Sequence, residues 1–559
     1  MLLALAFFYA TREKYDIISG RGERMDSVIY NPLEEYEKKF KGFHLEIAEK
    51  FFNELAERSG INIEENRATV REYEFRSQNL AAIKKKLNRL RAARVFMIIS
   101  IVLIPLVILK TTPRIKELRS QAEDAGGKVE ELLAEAQKQV QPLNNLFTDK
   151  DALKLIEETV PLLRFAPCFS AEQEADMRIN YDYCTDDENN RSTLDVLSGQ
   201  YNENPFIFEN KFIKTMRNET YHGYKTISWT ETYRDSDGKM KTRTRTETLH
   251  ASVIKPKPFY ATKVFLYYGS QGAPELSFSR DATHLELKSE DAIERYVKRG
   301  EKRLKKKTDR AIKGGDDFVS MSNYDFEVLF DALDRTDEVQ YRTLFTPLAQ
   351  TNMVDLIRSR SGYGDDFNFF KQKRMNVITT EHSQGRALNL CPSNYVSYSF
   401  DVIHNNFIEK NAEYFKSVYF DFAPIWAIPV YQERPVHSLK PIPPVSQMYS
   451  QKEYEVLANI IDKEDIAHPD TKTNVIIKSD FIGSKDGADE VRITAYSYNT
   501  IPRIDIIPVY GGDGRWHDVE VPWDEYIPLE RQSNFFICDT LSAKNRNVIA
   551  SRNGLSIFN

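Results

Sequence analysis

The chain has 559 residues, 41% hydrophobic and 12% aromatic, which is enough apolar material to bury several cores and excludes a disordered tail. Its net charge of −6 gives no overall pull toward nucleic acid. Cys168, Cys184, Cys391 and Cys538 are too few and too scattered for a disulfide scaffold and contain no CxxC pair; Cys168 and Cys184 are close enough in sequence to bridge if their domain lies outside, but are read as two reduced, buried thiols.

Met1 to Ala10 is apolar but too short to cross a bilayer, and it lacks the basic leader and cleavage site of a secretory signal. It fits the end of a first transmembrane helix or an interfacial anchor. From Pro32 to Arg58 the apolar residues Leu33, Tyr36, Phe40, Phe43, Ile47, Phe51 and Leu55 recur in threes and fours, which predicts an amphipathic helix stopped at Ser59-Gly60. A second stripe, Val70, Tyr73, Leu80, Ile83, Leu87 and Leu90, predicts a partner helix, so residues 1–94 are expected to form a helical hairpin.

Val95 to Leu109 carries no charge between Arg94 and Lys110. As a helix it would span roughly 22 Å, short of the ~30 Å hydrocarbon core, but snorkelling cations and the flanking Ala92, Ala93, Thr111 and Thr112 can lengthen it. These features predict one transmembrane helix over 95–110, with a buried helix as the alternative. Seven basic residues lie within twenty positions before the run against five after it, which turns the C-terminal bulk toward the outer face of a single-pass cell-membrane protein. The run Lys84, Lys85, Lys86, Arg89, Arg91 and Arg94 is read as topological flanking rather than specific lipid recognition.

Residues 111–165 are expected to form a helical stalk begun at Pro113. Its seam of Ile115, Leu118, Ala122, Ala125, Val129, Leu132 and Ala136 offers weak self-association, or packing against its own domain. Residues 166–288 read as a β-rich domain, with Asp235-Ser236-Asp237-Gly238 turning a hairpin between Tyr224–Arg234 and Met240–Lys255, then a break at Pro256-Lys257-Pro258. In KTRTRTETLHASV threonines alternate with cations, a pattern that discourages strand addition at a solvated edge.

Residues 289–434 open with a basic helix from Ser289 to Lys313, weakened at Gly300, followed by a mixed α/β domain. Its cations Lys298, Arg299, Lys302, Arg303, Lys305, Lys306, Lys307 and Arg310 form the densest charge feature of the chain, and anion binding there is weighed against an ordinary solvated face. Phe326-Glu327, Phe330, Asp337-Glu338-Val339, Tyr341-Arg342 and Leu344-Phe345-Thr346-Pro347, followed by paired strands, resemble a family of bacterial membrane-anchored proteins of unknown function. The resemblance covers Ser289 to Glu433. It implies hydrophobic N-terminal segments before a mixed α/β domain and transfers no catalytic residue. Residues 435–559 read as a Pro-rich linker, a helix capped by Ser450 and Glu453, and a small antiparallel β-rich module.

HExxH, GxSxG, GxxxxGK[ST] and GxGxxG are all absent. His382, Cys391 and His404 match no metal-ligand spacing, and Asp182, Asp186, Asp187 and Glu188 lack the glycine and last glutamate of a calcium loop. Asn190 and Asn218 begin glycosylation triplets of a kind common by chance. The expected molecule is therefore α+β: an N-terminal helical hairpin, one transmembrane helix, then a sheet-rich multidomain body. Its expected role is structural or protein-interacting, with the lipid bilayer and other proteins as partners, no nucleic acid and no cofactor. The rival is a membrane-tethered enzyme whose site converges only in three dimensions.

Overall fold

The computed structural model describes residues 28–99, 104–184, 189–234, 236–314, 318–435, 449–485, 487–540, 547–552 and 555–558. The expectations for Met1–Ala10, for the Pro-rich linker at 436–448 and for Asp186, Asp187 and Glu188 lie outside these residues. The fold is α+β with two antiparallel sheets.

The first predicted helix is present. Pro32–Glu35 and a π-helical turn, Tyr36–Phe40, lead into α1 (Lys41–Ser59), which Gly60 ends in the left-handed region at φ 63°. Its buried face meets a distant part of the chain, with Phe52 against Phe400 and Phe407. The hairpin is built instead by α2 (Ile63–Ile99) and α3 (Ile104–Asn144).

Among the described residues no helix is long and apolar enough to cross a membrane. This overturns the predicted transmembrane helix at 95–110, and with it the single-pass cell-membrane localisation and the outward body. The apolar run is divided, its first part ending α2 and its last part beginning α3. Asn66 near the base of α2 donates to the Ala136 carbonyl, and Gln139 donates to Thr69 Oγ1 at 3.1 Å, so the two helices run antiparallel and the chain returns to the side it left. Fifteen residues were already too short to span. Split between two helices, each part makes less than two turns. The stalk seam is the half-buried face of α3, and the helix it packs on is α2. Pro113 sits inside α3 rather than at its start.

After α4 (Asp151–Thr159), the body is organised by one sheet of β1 (Leu163–Phe165), β2 (Arg191–Tyr201), β3 (Asn204–Arg234), β4 (Met240–Gly269), β5 (Ser277–Arg280), β6 (Phe367–Gln372) and β7 (Met375–Thr380), in the order β1-β2-β3-β4-β7-β6-β5. Strands from both sides of position 288 thus share a single sheet. Helices α5 (Ala171–Tyr181), α6 (Glu290–Gly314), α7 (Tyr324–Phe330), α8 (Glu338–Leu344) and α9 (Pro347–Arg358) fill the connections. Helix α10 (Phe400–Trp426) is buried nearly all round in its second half, stacking Phe422 on Trp426 and presenting Phe422 edge-on to Phe206 and Phe208 of β3.

The C-terminal unit adds α11 (Gln451–Ile460) and a sheet of β8 (Ile476–Lys485), β9 (Ala488–Tyr510), β10 (Trp516–Asp539), β11 (Val548–Arg552) and β12 (Leu555–Phe558), ordered β11-β12-β10-β9-β8. Ser450 caps α11 as predicted, but the Glu453 carboxylate accepts from the Phe169 amide at 3.0 Å. A residue expected to close its own helix end instead ties the C-terminal unit to the body.

A candidate interaction surface on the β-arm

Two hairpins outgrow their sheets. β3 and β4 stay paired from Phe206↔Tyr268 out to Arg234↔Met240, whereas β2 accompanies β3 only to Ile213. β9 and β10 pair from Ile537↔Asp489 out to Trp516↔Tyr510, whereas β8 stops opposite Tyr496. β4 does not break at Pro256 and Pro258. Prolines two apart turn their missing N–H to the same side, and there β4 has an unpaired edge, because β7 meets it only from Leu266.

The free stretches of the two ribbons pack face to face into a two-layer arm. Alternation puts Ile227, Leu249 and Ala251 of one ribbon against Val519 and Val521 of the other. Gly223 permits the contact: a Cβ there would lie 2.1 Å from the Glu520 carbonyl oxygen. Polar ties flank this seam. Lys255 pairs with Asp505 at 2.7 Å and lies 4.2 Å from the Trp523 ring centroid, Lys225 donates to the Asp518 carbonyl at 2.9 Å, and the Gly512 amide donates to Glu247 at 2.7 Å.

Because alternate residues of β9 face inward, the others face water, and several of them are apolar. Pro502, Ile504, Ile506, Pro508 and Tyr510 form one exposed column, with Ile504 and Ile506 59% and 60% exposed. Trp516, 69% exposed, meets Tyr510 edge-on at 5.5 Å, while Asp518, Glu520 and Asp524 stand beside the column on β10. The opposite face of the arm is hydroxylic. Thr226 is bonded to Thr248, and Ser228, Thr230 and Thr232 lie opposite Thr246, Thr244 and Thr242. The cations of KTRTRTETLHASV lie on the stretch of β4 whose outer edge is unpaired, and there Arg243 and Arg245 both pair with Glu231.

The basic helix is α6. It buries Ile293, Val297, Gly300, Leu304 and Ala311 and spreads its cations along the opposite face. Gly300 does not weaken it; a Cβ there would strike Val328 at 2.3 Å, so the glycine lets α6 and α7 touch. Arg303 pairs with Asp331 at 3.0 Å, Lys305 with Glu301 at 2.6 Å and Lys298 with Glu294 at 3.8 Å. Lys307 donates to the Leu333 carbonyl over the Phe318 ring, and Arg299 donates to the Arg295 carbonyl. Lys302, Lys306 and Arg310 are exposed. The structure therefore does not gather the eight predicted residues around one point.

His382, Cys391 and His404 do not converge either. Cys391 is exposed, His404 bonds Glu49 at 2.8 Å, and among the described residues no group of His, Cys, Asp and Glu could hold a metal ion. His382 has a different role. Its Nδ1 lies 2.6 Å from Asp366 and its Nε2 3.1 Å from the Ser417 carbonyl and 3.3 Å from Asp421, so both ring nitrogens face acceptors and both must carry protons. Burial alone would lower its pKa, but the hydrogen bonds to Asp366 and Asp421 prevail and raise it to about 9. Arg386 completes the charge balance on Asp421 at 2.5 Å, and Tyr363 stacks flat on the imidazole at 3.8 Å. The adjoining cavity holds about 10 Å³, less than one water needs. This acid–histidine cluster is enclosed and acts as an internal strut. A wider groove of about 750 Å³ runs past Asn459, Lys463 and His468, and the exposed Lys463 Nζ donates to the Asn459 carbonyl at 3.0 Å. No spacing or motif in the sequence points to Lys463 or to the Asp366–His382–Asp421 cluster.

No protein-family model matches the chain, and neither a curated protein nor a solved structure matches it.

Proposed function

We propose that this chain is an interaction protein whose α+β body holds out the two-layer β-arm as a recognition surface. The observation that carries this reading is the outward column Pro502, Ile504, Ile506, Pro508 and Tyr510 with Trp516 at its end, apolar on the side of β9 that faces water. The arm already has its own seam on the inner side, so internal packing does not require this second apolar face. The acidic column Asp518, Glu520 and Asp524 alongside would set the register of a partner that brings apolar side chains flanked by cations. The open edges of β4, β9 and β10 are less inviting, because prolines interrupt their donors.

A photo-crosslinking residue placed at position 506 of the intact protein in its native cells tests the reading. The expected result is a discrete protein adduct, lost when Ile504→Asp is added and absent when the probe sits at Thr230 on the hydroxylic face. Equal labelling from both faces, or none from position 506, would overturn it.

A further inference from the structure

We propose that the pocket between α5, α11 and β8 binds a small α-amino acid as its zwitterion, with the carboxylate on Lys452 and the ammonium on Asp480. The pocket lies where the C-terminal unit meets the body and holds about 130 Å³. That is room for about four waters at ~30 Å³ each, or for a molecule of the size of glycine or alanine.

The walls leave one charge of each sign unanswered. Ser450 starts α11, so Lys452 and Glu455 project from its first two turns, α5 contributes Glu174, and alternation puts Lys478 and Asp480 on the same side of β8. The buried carboxylates around Lys452 are already held. Glu174 accepts from Arg178 at 2.6 Å and from the Gln451 amide at 3.3 Å. Glu455 accepts from the Thr193 amide and lies 3.6 Å from Lys478, while Glu209 accepts from Tyr183 and lies 3.1 Å from Lys211. Lys452 is only 5% exposed, yet the nearest carboxylate oxygen, on Glu209, is 4.0 Å away, and among the described residues its ammonium makes no hydrogen bond. An ammonium buried in that state calls for an acceptor. Asp480 stands exposed at the rim, and among the described residues it forms no ion pair, even with Arg492 opposite it on β9. Both charges belong in one ligand. A bare anion on Lys452 would face Glu174 and Glu455, and a bare cation on Asp480 would face Lys478, so each meets a repulsion that the second charge of a zwitterion offsets.

Calorimetric titration of the full-length protein tests this. Glycine and L-alanine are expected to bind saturably. Acetate and methylammonium, which carry the same two charges on separate molecules, are not, and L-leucine is excluded by size. Asp480 is exposed, so D480N should keep the parent's thermal melt and weaken glycine binding about tenfold. K452M keeps the aliphatic stem without the ammonium and should abolish binding. No saturable binding of either small amino acid, inorganic phosphate binding as tightly as glycine, or a glycine affinity unchanged in D480N would overturn the proposal.

Discussion

The body and the β-arm are parts of the same two sheets, yet different forces hold them. In the body, charges are buried in pairs: Arg335 with Glu327 at 2.9 Å, Lys211 with Glu209 at 3.1 Å, Arg280 with Asp365, and the His382 cluster. Each ion taken from water costs several kcal/mol unless it is fully paired, so these struts add little net stability and instead penalise any arrangement that leaves one partner alone. In the arm the contact between ribbons rests on a small aliphatic seam, Ile227, Leu249, Ala251, Ile507, Val519 and Val521, and on the close approach at Gly223. The arm can be thin because each strand already satisfies its neighbour's backbone. What it must manage is its open edges, and there prolines, threonines and ion pairs nearer the solvent, such as Arg243 with Glu231, stand where the body has buried ones.

The largest effect expected from this contrast is on pH. The folded pKa of His382, about 9, lies above the ordinary 6.5, so its contribution is fully present below pH 6.5 and is lost as pH rises through 9. The loss is on the order of 3 kcal/mol and should fall on the body. Urea unfolding compared at neutral pH and above pH 9 should show it, and His382→Gln should abolish that part of the pH dependence. If the slope survives the substitution, the imidazolium is not the strut. Breaking the arm should cost somewhat less. Gly223→Val would drive the ribbons apart at the Glu520 carbonyl, with a penalty of about 2 kcal/mol. Hydrogen exchange should then speed up in the arm around Ile507 and Val519 and stay unchanged around Phe422. Uniform loss of protection would mean that arm and body unfold as one unit.

How far the sequence anticipated this contrast depends on the range of the interaction. The helix at 32–58, the turn before Gly238, the cap at Ser450 and the alternating strands of the C-terminal unit are local patterns, and all appear. The α3 seam was also legible, but its partner was not, because an Ala and Leu face at helical spacing fits α2, a second copy or the body equally well. Val95 to Leu109 misled because hydropathy carries no information about where a helix ends. Pro256 and Pro258 misled in the opposite direction, since a proline ends a central strand but not one with an unpaired edge. The His382 cluster joins positions 366, 382, 386 and 421, and no periodicity connects them.

The smallest expected effect separates what the arm needs in order to fold from what it offers to others. Ile504 and Ile506 face water, so Ile504→Thr with Ile506→Thr removes little buried area, and β-branched threonine keeps the strand preference. The double variant should lie within about 0.5 kcal/mol of the parent in urea unfolding. Ile507, one position along and turned inward, is the control: Ile507→Thr should destabilise the arm by about 1 to 2 kcal/mol, because it places a hydroxyl in the seam beside Val519. If the outward pair proves the costlier change, that face is covered by the chain itself, and the apolar column belongs to the fold rather than to recognition.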